Sequence, residues 1–362
     1  MIRKVNIIAK LKNTGSIKNF IGLLKVLKWG LNNPTTDVYE QQWQRLNEYE
    51  HKNFTVTRDK IIAIMRDFFG QTITDAELRA QLTESLFHDF KLVDEPIDLG
   101  HKFMDGKQKM PKATGMCSVV GWEIDDYGQI VPKVEKIIYI GKYLEDGDIL
   151  TNYPRLRAVA HELAHSVSQH MAPVNDPAAV EIESMFMEKL FNRYMLENTD
   201  RLIDNGLIYG ITAEELQEQV RLTEVEDLGA FISRFSTFSD LLSTSAYSAR
   251  SFNGDYKRYQ RKQTEKNYLS RATYAYMVGE VVSRLLLEDY KNNPDNAIQN
   301  YAYYLASTHG VSLDEACDVL TNGYDENFNE ALEAYFNYYS KVLTAPQRLN
   351  QSSKSAKIIR QK

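Results

Sequence analysis

His161, Glu162 and His165, in the order His-Glu-x-x-His, are spaced for metal chemistry near the middle of the chain. On a helix, imidazoles four residues apart converge on one side, as two nitrogen ligands of a tetrahedral zinc ion require. Glu162 then stands beside them, where it can take a proton from metal-activated water. A catalytic zinc needs a third protein ligand and an open position, so another donor must come from elsewhere. Glu181, in the first turns of the next expected helix, is the candidate third ligand. Glu183, about 160° further round that helix, is the fallback and otherwise reads as an ordinary solvated carboxylate. Glu188 lies two turns beyond Glu181.

The elements that must position these residues are marked by their punctuation. Pro154 suits a first helical turn with Asn152 or Tyr153 near the cap, and Pro173 marks an end, so a helix is predicted over residues 155–170. Val159, Ala160, Leu163, Ala164 and Val167 leave it uncharged around the motif, as a buried metal helix would be. Asp176 can cap, and Pro177 can start, the helix carrying Glu181, which returns antiparallel over a short connection. The chain mostly reads as helices separated by Pro, Gly and Asn, for instance around residues 41–50, 58–69 and 75–86. The fold class is therefore mainly α. Glycines and β-branched residues gather between about residues 100 and 143, and Lys136-Ile137-Ile138-Tyr139-Ile140-Gly141 reads as a strand of a small β-sheet next to the histidine helix. A strand there can offer an open edge to an extended peptide.

The chain has 362 residues, 43% hydrophobic and 25% charged, the makeup of a globular protein with a large core. Its net charge of −6 is uneven. Residues 1–36 carry seven Lys/Arg and residues 342–362 carry five, with no acid in either, leaving 31 basic against 49 acidic residues between them. An acidic body argues against nucleic acid as a partner. Cys117 and Cys317 make neither a disulfide framework nor a cysteine zinc site. No run is long enough to span a membrane and no uninterrupted apolar leader is seen, so the expected location is the cytoplasm. Ile17, Phe20, Ile21, Leu24 and Leu27 recur at helical spacing among lysines. That helix could dock on the body or give residues 1–31 a peripheral membrane contact. The tail from about Gln347 lacks any apolar period and reads as disordered.

Three segments resemble the thimet oligopeptidase and oligoendopeptidase F family of zinc metallopeptidases, with the chain as a shortened member. Val180-Glu181-Ile182-Glu183-Ser184-Met185-Phe186-Met187-Glu188 is similar to its third-ligand helix. Tyr274-Ala275-Tyr276-Met277-Val278-Gly279-Glu280-Val281 resembles its tyrosine-rich segment, and Lys109-Met110-Pro111-Lys112-Ala113-Thr114-Gly115-Met116-Cys117-Ser118 its Lys-Arg-x-Gly-Ala-Tyr stretch. The resemblance implies a mainly α gluzincin fold, one zinc ion held by His161, His165 and Glu181, and an edge strand near residues 137–140 that aligns the substrate. It further implies that Tyr276 hydrogen-bonds the oxyanion, with Tyr274 and Tyr268 as weaker candidates, and a division into a helical region (1–85), a catalytic domain (86–345) and a basic tail (346–362).

Two departures accompany it. Ser168 stands where the family has a histidine, and Lys266-Asn267-Tyr268 lacks another. The reduced N-terminal half implies a shallower cleft, which leaves room for a peptide or a protein substrate, as for a non-classically secreted effector. The expected function is a metalloendopeptidase with Glu162 as general base. The alternative is a catalytically silent zinc-binding module on the same fold.

Overall fold

A computed structural model describes residues 51–88, 90–97, 114–124, 130–168, 177–224, 226–227, 230, 276, 279–280, 282–284 and 286–306, with backbone alone at 118–124, 130–132, 134 and 177–180. The expectations for residues 1–50, for Asp176, for Tyr268 and Tyr274, for Cys317 and for the tail lie outside the described residues.

The fold is mainly α, with two small sheets among the described residues. Helix α1 (Arg58–Thr72) follows strand β1 (Phe54–Thr57), and its first turn is closed by Thr57, whose hydroxyl accepts from Lys60 N at 3.2 Å. Helix α2 (Ala76–Ser85) is capped in the same way by Asp75, which accepts from Leu78 N at 2.8 Å. Strands β2 (Phe90–Val93), β3 (Gly115–Ile124) and β4 (Ile130–Tyr139) form one sheet in the order β2-β4-β3. Strands β5 (Lys142–Tyr143) and β6 (Asp148–Thr151) join β1 in the order β1-β6-β5.

The first sheet corrects one expectation. Residues 137–140 do not form an edge: β4 pairs parallel with β2, from Phe90↔Lys136 to Val93↔Tyr139, and antiparallel with β3, from Gly115↔Ile138 to Ile124↔Ile130. Over residues 136–139 both rows of its backbone groups are used by neighbours, and among the described strands β2 and β3 are the two edges of this sheet. The strand expected over 136–141 is also longer at its start and stops at Tyr139.

Helix α3 (Tyr153–Ser166) carries both histidines of the motif. Asn152 is its cap, accepting from Arg155 N, and Pro154 occupies the first turn. It ends four residues short of the expected boundary, with Val167 as the C-cap. Helix α4 (Pro177–Asp204) runs antiparallel to it, because contacts climb one helix as they descend the other: His165 meets Glu183, His161 meets Glu188, and Tyr153 meets Asn192. α3 is thus enclosed between the β2-β4-β3 sheet and α4. The core beneath is aromatic. Phe191 sits edge-on to Phe68 at 5.1 Å and parallel to Tyr153 at 6.1 Å, all with no exposed surface. Each such ring stabilises the fold by about 1.5–3 kcal/mol.

Residues 213–224 form α5, and the described positions from 276 to 292 are helical, followed by α6 (Pro294–Ala306). Tyr301 of α6 packs edge-on to Phe186 of α4 at 4.9 Å. Among the described residues no helix is long and apolar enough to cross a membrane.

Candidate metal centre

The antiparallel pairing of α3 and α4 brings His161, His165 and Glu181 together, with one ligand atom from each within 4.8 Å of the others. The two imidazoles stand nearly perpendicular, and their Nε2 atoms are 3.1 Å apart. Glu181 Oε2 lies 3.8 Å from His161 Nε2. Zinc–nitrogen bonds of about 2.0–2.1 Å at a tetrahedral angle put two nitrogens about 3.3 Å apart, so the donor set fits such an ion.

Each imidazole is held from behind by a carboxylate. His161 Nδ1 donates to Glu188 Oε1 at 3.0 Å, and His165 Nδ1 donates to Glu183 Oε1 at 3.2 Å. An ionised carboxylate can only accept, so both Nδ1 atoms carry hydrogen and both Nε2 atoms present lone pairs to the site. Two lone pairs facing at 3.1 Å repel unless a proton or a cation lies against both. The electrostatics agree. Burial alone would lower both histidines, but Glu188 raises His161 to about 9 and Glu183 raises His165.

Glu183 therefore departs from its sequence-based expectation. Glu183 has no exposed surface and bonds the far side of His165, so it is neither a solvated carboxylate nor the third ligand. The signal was the apolar surroundings: from Ile182 to Phe191, α4 is buried throughout, and a carboxylate there must have a partner.

Glu162 is 5% exposed, and burial pushes its carboxyl above the usual range against the opposing pull of His161 and His165. It is covered by β3. A Cβ on Gly115 would fall 2.2 Å from Glu162 Oε1, so only glycine allows the strand so close. Gly279 makes the corresponding approach on the other side. A Cβ there would lie 2.7 Å from Met185 Sδ and 3.2 Å from the carbonyl group of Glu181. Tyr276 is half-buried one turn before Gly279 on this stretch, whereas Tyr274 and Tyr268 are outside the described residues.

Behind Glu188 runs a ladder of buried and half-buried charges that no sequence pattern announces. Arg157 lies 3.6 Å from Glu188 and donates twice to Asp227, at 2.6 and 2.9 Å. Lys189, with no exposed surface, reaches Asp227 and Glu280 at 2.9 Å each. Burial alone would raise Asp227, but Arg157 and Lys189 hold it below the usual carboxylate range. These charges are scattered in sequence, and only the packing of α3, α4 and the helical residues at 227 and 280 aligns them.

The site is thus a two-histidine, one-carboxylate group able to hold a metal ion, on a mainly helical fold. No protein-family model and no curated protein matches the chain. Among solved structures the chain is similar to a protein assigned as an oligoendopeptidase F from Bacillus anthracis str. Ames, at 14% identity and a TM-score of 0.49. The match covers 90% of this chain and 56% of that one, so the chain spans little more than half of that protein's length. No residue's role follows from a likeness of that degree.

Proposed function

We propose that the chain is a zinc-dependent endopeptidase acting on peptides or a protein. The observation that carries this reading is the pair of Nε2 atoms 3.1 Å apart, each fixed from behind by a carboxylate, with Glu181 alongside and a buried glutamate next to them. Zinc held by His161, His165 and Glu181 supplies a Lewis acid that polarises a carbonyl and makes water acidic. Glu162 accepts the proton of the attacking water and delivers it to the leaving amine, a task suited to a carboxyl raised above its ordinary range by burial. Tyr276 donates a hydrogen bond to the developing oxyanion, and the open edge of β3 pairs with the substrate backbone. A purely structural zinc would fill all four positions with protein ligands and leave Glu162 without a use.

Chelation followed by metal return tests the reading. Chelator-treated protein should lose peptide cleavage, and one equivalent of zinc should restore it. Cleavage that persists in metal-free protein would contradict the zinc dependence, and stoichiometric zinc without cleavage would make the chain a binding module.

A further inference from the structure

We propose that Ser168 and Glu183 are positioning residues for the second histidine, a hydroxyl–carboxylate pair that aims His165 Nε2 into the site. The inference rests on the metal reading above. Glu183 is fully buried and divides its two oxygens: Oε1 accepts from His165 Nδ1 at 3.2 Å, and Oε2 accepts from Ser168 Oγ at 2.6 Å. Its backbone is held too, since Tyr301 OH donates to Glu183 O at 2.8 Å. Ser168 is anchored to the same helix end as the imidazole, its N–H donating to His165 O at 3.3 Å. The contacts close a ring from the backbone of His165 through Ser168 and Glu183 back to the His165 side chain.

The two imidazoles are therefore supported by different chemistry. The carboxylate behind His161 has the Arg157 guanidinium at 3.6 Å from its second oxygen, whereas the one behind His165 takes a hydroxyl there. The serine hydroxyl is a neutral donor that orients Glu183 by a hydrogen bond, and the carboxylate in turn strengthens His165 as a ligand. Position 168, where the resemblance led to expect a histidine, thus carries the group that orients Glu183.

The test uses the full chain and reads metal binding. Zinc affinity is measured by competition with a chromophoric chelator, and the visible absorption of the cobalt(II) form reports ligand geometry. Ser168→Ala should weaken zinc binding about tenfold and shift the cobalt bands, and Glu183→Ala should approach a hundredfold loss, the range for such supporting groups. Glu183→Gln should also weaken binding, yet with cobalt bands near wild type, because the serine hydroxyl can turn to accept from the amide. Because the hydroxyl acts through the carboxylate, Ser168→Ala should add nothing in a Glu183→Ala background. If Glu183→Ala does not fold, the two conservative variants decide. Wild-type zinc affinity and cobalt spectra in both would overturn the inference alone. Wild-type protein that takes up neither metal would overturn the reading of the site and the inference with it.

Discussion

Gly115 and Glu162 stand so close that a methyl group on Gly115 would lie 2.2 Å from Glu162 Oε1 and 2.7 Å from its Cγ. Strand β3 and the general-base candidate are thus fitted to each other through a missing side chain. Gly115→Ala should displace the carboxylate while leaving the three metal donors in place. We expect peptide hydrolysis to fall by about a hundredfold, the cost of an error near 1 Å at a reacting group, with zinc content unchanged. Steady-state kinetics and metal analysis on one preparation check this, and full activity would mean that Glu162 does not work from the position seen here.

The ladder behind Glu188 makes a prediction about stability. Lys189 is fully buried between Asp227 and Glu280, and removing its charge leaves carboxylates buried without it. Lys189→Met should cost about 3–5 kcal/mol, the usual loss when one partner of a buried pair is deleted. Urea unfolding of the metal-free protein measures it. A loss under about 1 kcal/mol would show that the ladder is relaxed by water or by rearrangement.

Metal-free protein should depend on pH through His161. Its folded-state value is raised to about 9, because the Glu188 carboxylate outweighs the opposing effect of burial. The stabilisation from that proton is therefore complete below the ordinary histidine value of about 6.5, and it is lost as pH rises through about 9. Zinc competes with the same proton, so its affinity should rise between pH 7 and 9 and binding should release protons. Calorimetry in buffers of different ionisation enthalpy reads the release, and an affinity flat across that window would contradict the assignment of His161 as a ligand.

Much of this was legible in the sequence because it depends on local rules. The cap at Asn152, the proline at 154 and the apolar face around Leu163 are helix signals, and the i, i+4 spacing of His161 and His165 needs only a helix to become a pair. Glu181 followed from the short return of α4. What was not legible depends on pairing between distant segments. Ile137 and Ile138 lie in a central strand because β2, some forty-five residues earlier, adds a parallel partner that the local pattern of β4 does not announce. Glu183 and Glu188 were legible only in part: their apolar neighbours show that they are buried, but their partners His165 and His161 follow from the register of two antiparallel helices. Arg157, Asp227, Lys189 and Glu280 carry no pattern at all until the helices are assembled.

In the proposed function Glu162 performs proton transfer beside a zinc ion held by His161, His165 and Glu181. The most direct measurement pairs zinc content with the digestion of a proteome-derived peptide library, for wild type and Glu162→Gln. One zinc per chain is expected in both proteins, with cleavage by wild type and essentially none by the variant. Cleavage by Glu162→Gln at the wild-type rate would contradict it.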